Sequence, residues 1–298
     1  MTRARLSILT LLAMLAFAGN SLLCRLALKQ TAIDAASFTF VRITAGALAL
    51  GLIVRMRRAK TVAAVCDRRR EGNWPSALAL FIYAAAFSFA YLSLSAGTGA
   101  LLLFGAVQAT MISWGWHRGE RLRKAQALGL ALALGGLAVL VFPGLSAPSL
   151  RGSILMLSAG VAWGVYSLRG KTAGDPANAT AGNFLRAVPF AALLGVSSLP
   201  WLRVDGAGLG YAVFSGALAS GVGYVIWYTA LPDLKAASAA TVQLSVPVLA
   251  AAGGILLLGE PLTLRFLGAS LAVLGGIALV VLAKDQTLRT SAAGQIRR

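Results

Sequence analysis

The stretch AATVQLSVPVLAAAGGILLLGEPL, residues 239–262, decides the fold of this protein. It is apolar over nearly the whole of the roughly 20 residues that a helix needs to cross a bilayer. Gln243 and Pro247 interrupt the apolar run early, and Glu260 lies near its end. The pattern predicts a membrane helix that keeps an amide at depth, where lipid offers that amide no hydrogen-bond partner.

The rest of the chain has the same character. Of its 298 residues, 58% are hydrophobic and 12% are charged, and the mean hydropathy is +0.79. Soluble domains are about 25% charged, so the chain is predicted to be an all-α integral membrane protein. The net charge of +18 does not indicate nucleic acid as a partner, because no nucleic-acid-binding motif accompanies it. The predicted environment is the lipid bilayer.

Charges, prolines and turns divide the chain into candidate membrane helices. Ten ranges emerge: 6–28, 34–54, 75–94, 97–117, 124–142, 152–170, 177–198, 207–230, 236–257 and 264–283. If the N-terminus is cytoplasmic, 20 of the 27 Lys and Arg residues fall in inside segments and 5 in outside segments. The positive-inside rule therefore predicts that both termini are cytoplasmic.

The first 20 residues, MTRARLSILTLLAMLAFAGN, allow two interpretations. Basic residues, an apolar run and the A-x-A pattern at 16–18 resemble a cleavable signal peptide. Alternatively, the segment is an uncleaved first membrane helix, because apolar residues continue through Leu28. We favour the second interpretation, since the internal repeat needs this helix.

Two halves of five helices resemble each other. GERLRKAQALGLALALGGLAV begins at Gly119 and GEPLTLRFLGASLAVLGGIAL at Gly259, and in each the glutamate precedes a glycine by 15 residues. Upstream, VQ at 107–108 matches VQ at 242–243, and FVR at 40–42 matches FLR at 184–186. These matches occur in the same order, which indicates duplication. The predicted units are residues 1–142 and 151–284, followed by a cytoplasmic tail at 285–298.

Five helices is an odd number, so the second half enters the membrane from the opposite side. The predicted fold is thus ten transmembrane helices in two inverted five-helix repeats. Many secondary transporters use this architecture for alternating access, with the substrate site near the bilayer midplane.

The chain resembles the drug/metabolite transporter superfamily, and within it the EamA-domain proteins, over about residues 6–283. The GE…GG ending of each half carries the resemblance, and VPVLAAAGGILLLGEPLTLRFLGASLAVLGG matches the family pattern best. Within the family, the chain is most similar to YddG-like bacterial exporters of aromatic amino acids. The resemblance implies an inner-membrane exporter of small metabolites, with aromatic amino acids as the expected substrates. Another solute, such as a cationic drug, another amino acid or a nucleotide sugar, is the alternative.

Polar residues at depth are the first site candidates. Gln108 and Gln243 lie about mid-way into their helices, where they either bond a neighbouring helix or contact substrate. Pro247 frees the carbonyl of Gln243 and either exposes it to a cavity or only bends the helix. Arg42 and Arg186 either reach the interface or helix carbonyls, or hold a substrate carboxylate.

Aromatic residues form the second group. Tyr83, Phe87 and Tyr91 share one helical face, as do Ser220, Tyr224 and Tyr228. Ordinary packing is the alternative for each of them, and an interfacial belt is the alternative for Tyr91 and Tyr228. The complete set of predicted substrate-binding residues is Trp163, Gln243, Gln108, Tyr83, Phe87, Tyr224, Tyr228, Asn20 and Pro247.

Several function classes are disfavoured. Every Asp and Glu lies at a helix end or in a loop, which predicts gradient-driven movement without a buried carboxylate that carries protons. The chain has no P-loop, and with one histidine and two unmatched cysteines no metal or cofactor is expected. An enzyme is not expected, and a channel or scaffold is a further alternative. The small-residue faces at 125–133 and 268–276 predict close packing within a monomer, or else a dimer face.

Overall fold

The computed structural model describes residues 1–59, 72–119, 124–144, 147–170, 175–234 and 242–296, with the backbone alone at 58, 59, 176 and 282–296. These residues form helices and connecting turns, without a strand among them. The helices are α1 Arg3–Gln30, α2 Ala35–Ala59, α3 Trp74–Ala90, α4 Ala96–His117, α5 Lys124–Val141, α6 Leu150–Gly170, α7 Pro176–Ser197, α8 Gly206–Phe214, α9 Gly223–Ala230, α10 Ser245–Leu258 and α11 Leu264–Ile296. Glu120, Cys66 and most of the basic loop residues lie outside the described residues.

Seven spans of the described chain are long and apolar enough to cross a membrane. One of them joins α8 and α9 through a π-helical segment, Ser215–Val222, so that the range Gly206–Asp233 is a single span. The helices α3 and α10 are apolar but shorter. Each of the ten predicted ranges overlaps a helix, and the prediction of a helical membrane protein is confirmed. Ten spans in two inverted repeats remain a prediction.

The first helix belongs to the interior of the bundle. Ala13, Met14, Ala18, Cys24 and Ala27 of α1 are all buried. The helix packs against α8, α9, α10 and the π segment. These contacts place α1 inside the helix bundle.

Side-chain caps begin several helices. Asn73 accepts from Ser76 N at the start of α3, and Ser95 accepts from Thr98 N at the start of α4. Before α2, the carboxylate of Asp34 accepts hydrogen bonds from the backbone of Ala36 and from the backbone and hydroxyl of Ser37. Burial alone would raise the pKa of Asp34, but these bonds and one from Arg203 N outweigh it and hold the pKa below its usual value.

Glycines let two pairs of helices approach closely. A Cβ atom at Gly129 of α5 would lie 2.5 Å from the carbonyl oxygen of Gly276 in α11, and one at Gly276 would lie 2.4 Å from the oxygen of Gly129. A Cβ at Gly216, in the π segment, would lie 2.1 Å from the oxygen of Arg42 in α2. The small residues at 129 and 276 therefore serve packing within one chain.

A largely buried ion pair connects α1 with the loop after α10, and the loop also contacts α4. Arg25 Nε lies 3.0 Å from Glu260 Oε1, and the two side chains are 13% and 7% exposed. The second carboxylate oxygen of Glu260 accepts from Ala96 N, the first amide of α4, at 2.8 Å. Glu260 thus caps the N-terminus of α4 while it neutralises Arg25, which gives the glutamate of the GE motif a structural role.

Candidate functional site

A cavity of about 420 Å³ lies between α1, α3, α4, α6 and the span of α8 and α9. Its lining brings together residues that are far apart in sequence. Eight of the nine predicted substrate-binding residues line it: Asn20, Tyr83, Phe87, Gln108, Trp163, Tyr224, Tyr228 and Gln243. The ninth, Pro247, is buried in the first turn of α10 and is not part of the lining.

The structure places Pro247 at the start of a helix, whereas the sequence predicts it within a helix that continues from Gln243. Helix α10 begins at Ser245, so Pro247 lies where a backbone N–H would lack an intrahelical acceptor in any case. The helix is interrupted at Leu244, between Gln243 and α10. Pro247 is therefore compatible with this helix start and lies outside the cavity lining.

The aromatic wall centres on Trp163 of α6. Its ring centroid lies 4.8 Å from that of Tyr83 and 5.1 Å from that of Tyr224. Phe87 extends the wall, 5.5 Å from Tyr83 and one helical turn further along α3. Tilted ring pairs at these distances are favourable beyond simple burial. The i, i+4 spacing on α3 thus places two rings on the cavity, as the sequence predicts.

Hydrogen bonds connect four polar residues into what we call the Tyr83 network: Ser215, Asn20, Tyr83 and Arg42. Ser215 Oγ donates to Asn20 Oδ1 at 2.6 Å, which orients the Asn20 amide. Asn20 Nδ2 then donates to the Tyr83 hydroxyl oxygen at 3.2 Å, and Arg42 Nη2 donates to the same oxygen at 3.0 Å. All four residues are buried.

Arg42 lies deep in the protein, 2% exposed. Its guanidinium carbon lies 5.2 Å from the ring centroid of Tyr83 and 4.8 Å from that of Phe87. Its Nη1 atom is buried without a hydrogen-bond partner among the described residues. The interpretation of Arg42 as an interfacial residue that reaches helix carbonyls is therefore wrong.

Arg186 agrees with that simpler interpretation. It is half-buried, and its Nη1 donates to Gly182 O, one turn earlier in its own helix, at 3.0 Å. It is not part of the cavity lining. The two arginines that the sequence pattern pairs thus have different surroundings.

Gln108 and Gln243 both face the cavity. Gln108 is 7% exposed and Gln243 is half-buried. In the described part of the chain, neither side-chain amide has a hydrogen bond to another residue. The alternative of a bond between neighbouring helices is thus not realised here, and both amides are open to a ligand.

The outer members of the two aromatic ladders differ. Tyr91 follows the end of α3, fully buried, and its hydroxyl donates to Ala96 O at 3.2 Å, so it is not an interfacial belt residue. Tyr228 is half-buried and lines the cavity. Ser220 lies in the π segment, buried and outside the lining. A wider helical turn changes which face a residue occupies, and the sequence spacing gives no sign of it.

Three cavity aromatics were not predicted from the sequence: Phe17, Phe104 and Trp227. Phe17 of α1 lies 5.9 Å from Tyr224 and 6.0 Å from Trp227, ring centroid to ring centroid. Both Phe17 and Trp227 line the cavity. Trp227 follows Tyr224 by three residues, a spacing that also shares a helical face and was the available signal. Phe17 was missed because it is the middle residue of the A-x-A pattern, which resembles a cleavage site.

The lining is aromatic and amide-rich, without an Asp, Glu, Lys or Arg among the residues that the structure describes. In those residues there is also no group of three side chains that could hold a metal ion. Such a site offers ring faces and neutral donors and acceptors. It suits a small solute with an apolar, preferably aromatic, portion.

Comparisons with known proteins agree with this picture. Residues 150–282 match the EamA-like transporter family. A Pseudomonas aeruginosa protein that is named only as uncharacterized is 60% identical over 93% of this chain and 94% of its own length. The threonine/homoserine exporter RhtA of Escherichia coli K12 is 36% identical over 44% of this chain and 46% of its own.

Two further matches span more of the chain. A probable amino-acid metabolite efflux pump of Escherichia coli K12 is 29% identical over 66% of this chain and 72% of its own length. A protein crystal structure superposes with a TM-score of 0.63 over 95% of this chain and 99% of its own, at 19% identity, and so shares the fold. The resemblance read from the GE…GG pattern is confirmed, and the chain belongs to the EamA-like transporter family of the drug/metabolite transporter superfamily.

Proposed function

We propose that this protein exports amino acids across the bacterial inner membrane, with aromatic amino acids as its preferred substrates. The observation that carries the proposal is the cavity around Trp163, where eight aromatic side chains surround neutral polar groups: Phe17, Tyr83, Phe87, Phe104, Trp163, Tyr224, Trp227 and Tyr228. Stacked and tilted rings favour an aromatic side chain over a small polar one. The names of two relatives, an exporter of threonine and homoserine and an amino-acid metabolite efflux pump, support the amino-acid class.

The proposed mechanism is alternating access between two inverted five-helix repeats, residues 1–142 and 151–284, with both termini cytoplasmic and 285–298 as a tail. The lining includes Gly170, at the end of α6, and Leu231, which lies two residues before Asp233, and Asp233 pairs with the N-terminus next to the start of α1. At the opposite end, Arg25, Glu260 and Ala96 are joined by hydrogen bonds. We infer a state in which the cavity faces the cytoplasm, in a monomer.

Movement down a substrate gradient is the proposed energy source. The described cavity lining has no carboxylate to carry a proton. Transport by the reconstituted protein is therefore expected to continue when the inside and outside pH are equal. Strict dependence on a proton gradient would contradict this part of the proposal.

Counterflow in liposomes tests the substrate class. Vesicles that contain the purified protein and unlabelled L-phenylalanine are expected to accumulate labelled L-phenylalanine saturably, and faster than matched vesicles accumulate labelled L-threonine. Faster accumulation of L-threonine would favour threonine and homoserine as the substrates, as the name of the relative RhtA suggests. A flux that rises linearly with concentration would indicate a channel, and no flux of either amino acid would refute the proposal.

Trp163→Ala tests the aromatic wall directly. Loss of the ring that contacts both Tyr83 and Tyr224 is expected to raise the KM for L-phenylalanine at least about tenfold, since an aromatic contact and its buried area are lost together. Trp201→Ala is the matched control, because Trp201 is 71% exposed and outside the cavity lining. An unchanged KM in the Trp163 variant would place the site elsewhere.

A further inference from the structure

We propose that the substrate binds with a carboxylate against the hydroxyl group of Tyr83, and that the buried charge of Arg42 stabilises this anion from behind the cavity wall. The inference rests on the proposed function, since it takes the cavity as the substrate site. It adds which end of the substrate is recognised, and by which atoms.

The hydrogen-bond accounting of Tyr83 carries the first step. Its hydroxyl oxygen already accepts two hydrogen bonds, from Asn20 Nδ2 and Arg42 Nη2. A phenol also has one hydrogen to donate, and no described residue accepts it. Because Tyr83 lines the cavity and is 5% exposed, the cavity is where an acceptor for this hydrogen fits.

The two groups that donate to the Tyr83 hydroxyl oxygen make the hydroxyl itself a stronger hydrogen-bond donor. A hydroxyl that accepts from a cation is polarised, and chains of hydrogen bonds strengthen one another. Ser215 fixes the Asn20 amide so that its NH₂ group, rather than its oxygen, points to Tyr83. The Tyr83 network therefore presents an O–H donor to the cavity and leaves the acceptor to the ligand.

The charge of Arg42 determines the sign of the ligand group. A buried cation without a counter-ion is costly in a bilayer, and Arg42 takes part in neither of the ion pairs formed between described residues, Arg25 with Glu260 and the N-terminus with Asp233. The guanidinium lies one ring layer behind the cavity wall, about 5 Å from Tyr83 and Phe87. An anion at the Tyr83 hydroxyl would be drawn to this charge across a medium that screens it weakly.

A carboxylate fits this arrangement better than other charged groups. The described lining has no acidic residue to balance a cation, so a cationic drug would meet only the repulsion of Arg42. It also has no Lys or Arg to share a doubly charged phosphate. One donor with one cation behind it matches the single charge of a carboxylate.

Three probes separate these cases on the wild-type protein. They are L-phenylalanine, phenylpropionate, which keeps the carboxylate without the amine, and phenethylamine, which keeps the amine without the carboxylate. Calorimetric titration of the purified protein in detergent measures each Kd. We expect phenylpropionate and L-phenylalanine to bind at least about tenfold more tightly than phenethylamine.

Variants then assign the preference to atoms. Tyr83→Phe keeps the ring and removes the donor, and Arg42→Gln removes the charge; both are expected to erase most of the tenfold difference. Tyr211→Phe and Arg186→Gln are the matched controls, since both residues lie outside the cavity lining, and both should keep it. A merely structural role would weaken all three probes together and leave their ratio unchanged.

The outcomes separate this inference from the proposed function. Three results overturn the inference even if L-phenylalanine counterflow is found. They are equal or tighter binding of phenethylamine, no binding of any probe, and an unchanged ratio of the Kd values in Tyr83→Phe. A carboxylate preference without L-phenylalanine counterflow supports the inference and refutes the transport proposal. If neither variant folds, the wild-type ratio alone decides.

Discussion

Arg25, which is partly buried, and Arg42, which is fully buried, lie in the same bundle in opposite electrostatic situations. Arg25 has a carboxylate at 3.0 Å, and its Nη1 donates to the carbonyl oxygen of Tyr91 at 2.8 Å. Arg42 has one neutral partner, Tyr83, and a second nitrogen without any described partner. Folding removes most of the water around both side chains. The protein replaces these water contacts with a counter-ion and a carbonyl group for Arg25, but only with one hydroxyl group for Arg42.

Arg25 thus carries a charge that contributes to the stability of the fold. Arg42 carries a charge whose burial other interactions in the fold must compensate. Glu260 gains two functions from one carboxylate, as the counter-ion of Arg25 and as the acceptor for the first amide of α4. Arg42 is held by packing instead, beneath the rings of Tyr83 and Phe87 and against the π segment at Gly216. A charge kept in place at such a cost is a functional candidate.

Removing Glu260 should have the largest effect on stability. Glu260→Ala leaves Arg25 buried without a counter-ion and Ala96 N without an acceptor. We expect the free energy of unfolding, measured by denaturant titration in detergent, to fall by about 3–5 kcal/mol. Asp175→Asn is the control, since Asp175 is an exposed cap of α7 and asparagine caps equally well. A loss below about 1 kcal/mol would mean that the pair is only incidental.

Crowding the contact behind Arg42 should have an intermediate effect. A methyl group at Gly216 would lie 2.1 Å from the carbonyl oxygen of Arg42, so Gly216→Ala must push the π segment away from α2. Overpacking of this kind costs about 1–3 kcal/mol, and we expect that loss in the same titration.

Gly210→Ala is the matched control for this change, because a Cβ atom there meets nothing within 4 Å and alanine favours the helix. It should leave stability unchanged or slightly raise it. Equal behaviour of the two variants would show that α2 and the π segment do not hold Arg42 in position.

The sequence predicts the helices well and this electrostatic difference poorly. Apolar runs and their breaks depend on local composition, so the predicted ranges overlap the helices. The i, i+4 ladder on α3 likewise brought Tyr83 and Phe87 to the cavity, because both lie within one regular helix. Periodicity is a local property, and local properties can be read from one chain.

Arg42 shows where such inference fails. FVR and FLR are similar triplets, yet Arg42 is buried and Arg186 is half-buried and bonded to its own helix. The burial of Arg42 depends on Tyr83, 41 residues away, and on the π segment, which spacing does not reveal. The sequence correctly predicts Glu260 at a helix boundary, but it does not predict the partner of Glu260, because Arg25 is 235 residues distant.

Neutralising Arg42 should give the smallest and most informative effect. Arg42→Met removes a hydrogen bond to Tyr83 and two ring contacts, but it also removes an uncompensated buried charge. These changes oppose each other, so we expect the free energy of unfolding to change by no more than about 1 kcal/mol, or to rise. Arg25→Met should instead cost several kcal/mol, about as much as loss of Glu260, because it leaves a buried carboxylate unpaired. A small change in Arg42→Met would show that the fold does not depend on this charge. A large loss of unfolding free energy would instead mean that Arg42 stabilises the fold as Arg25 does.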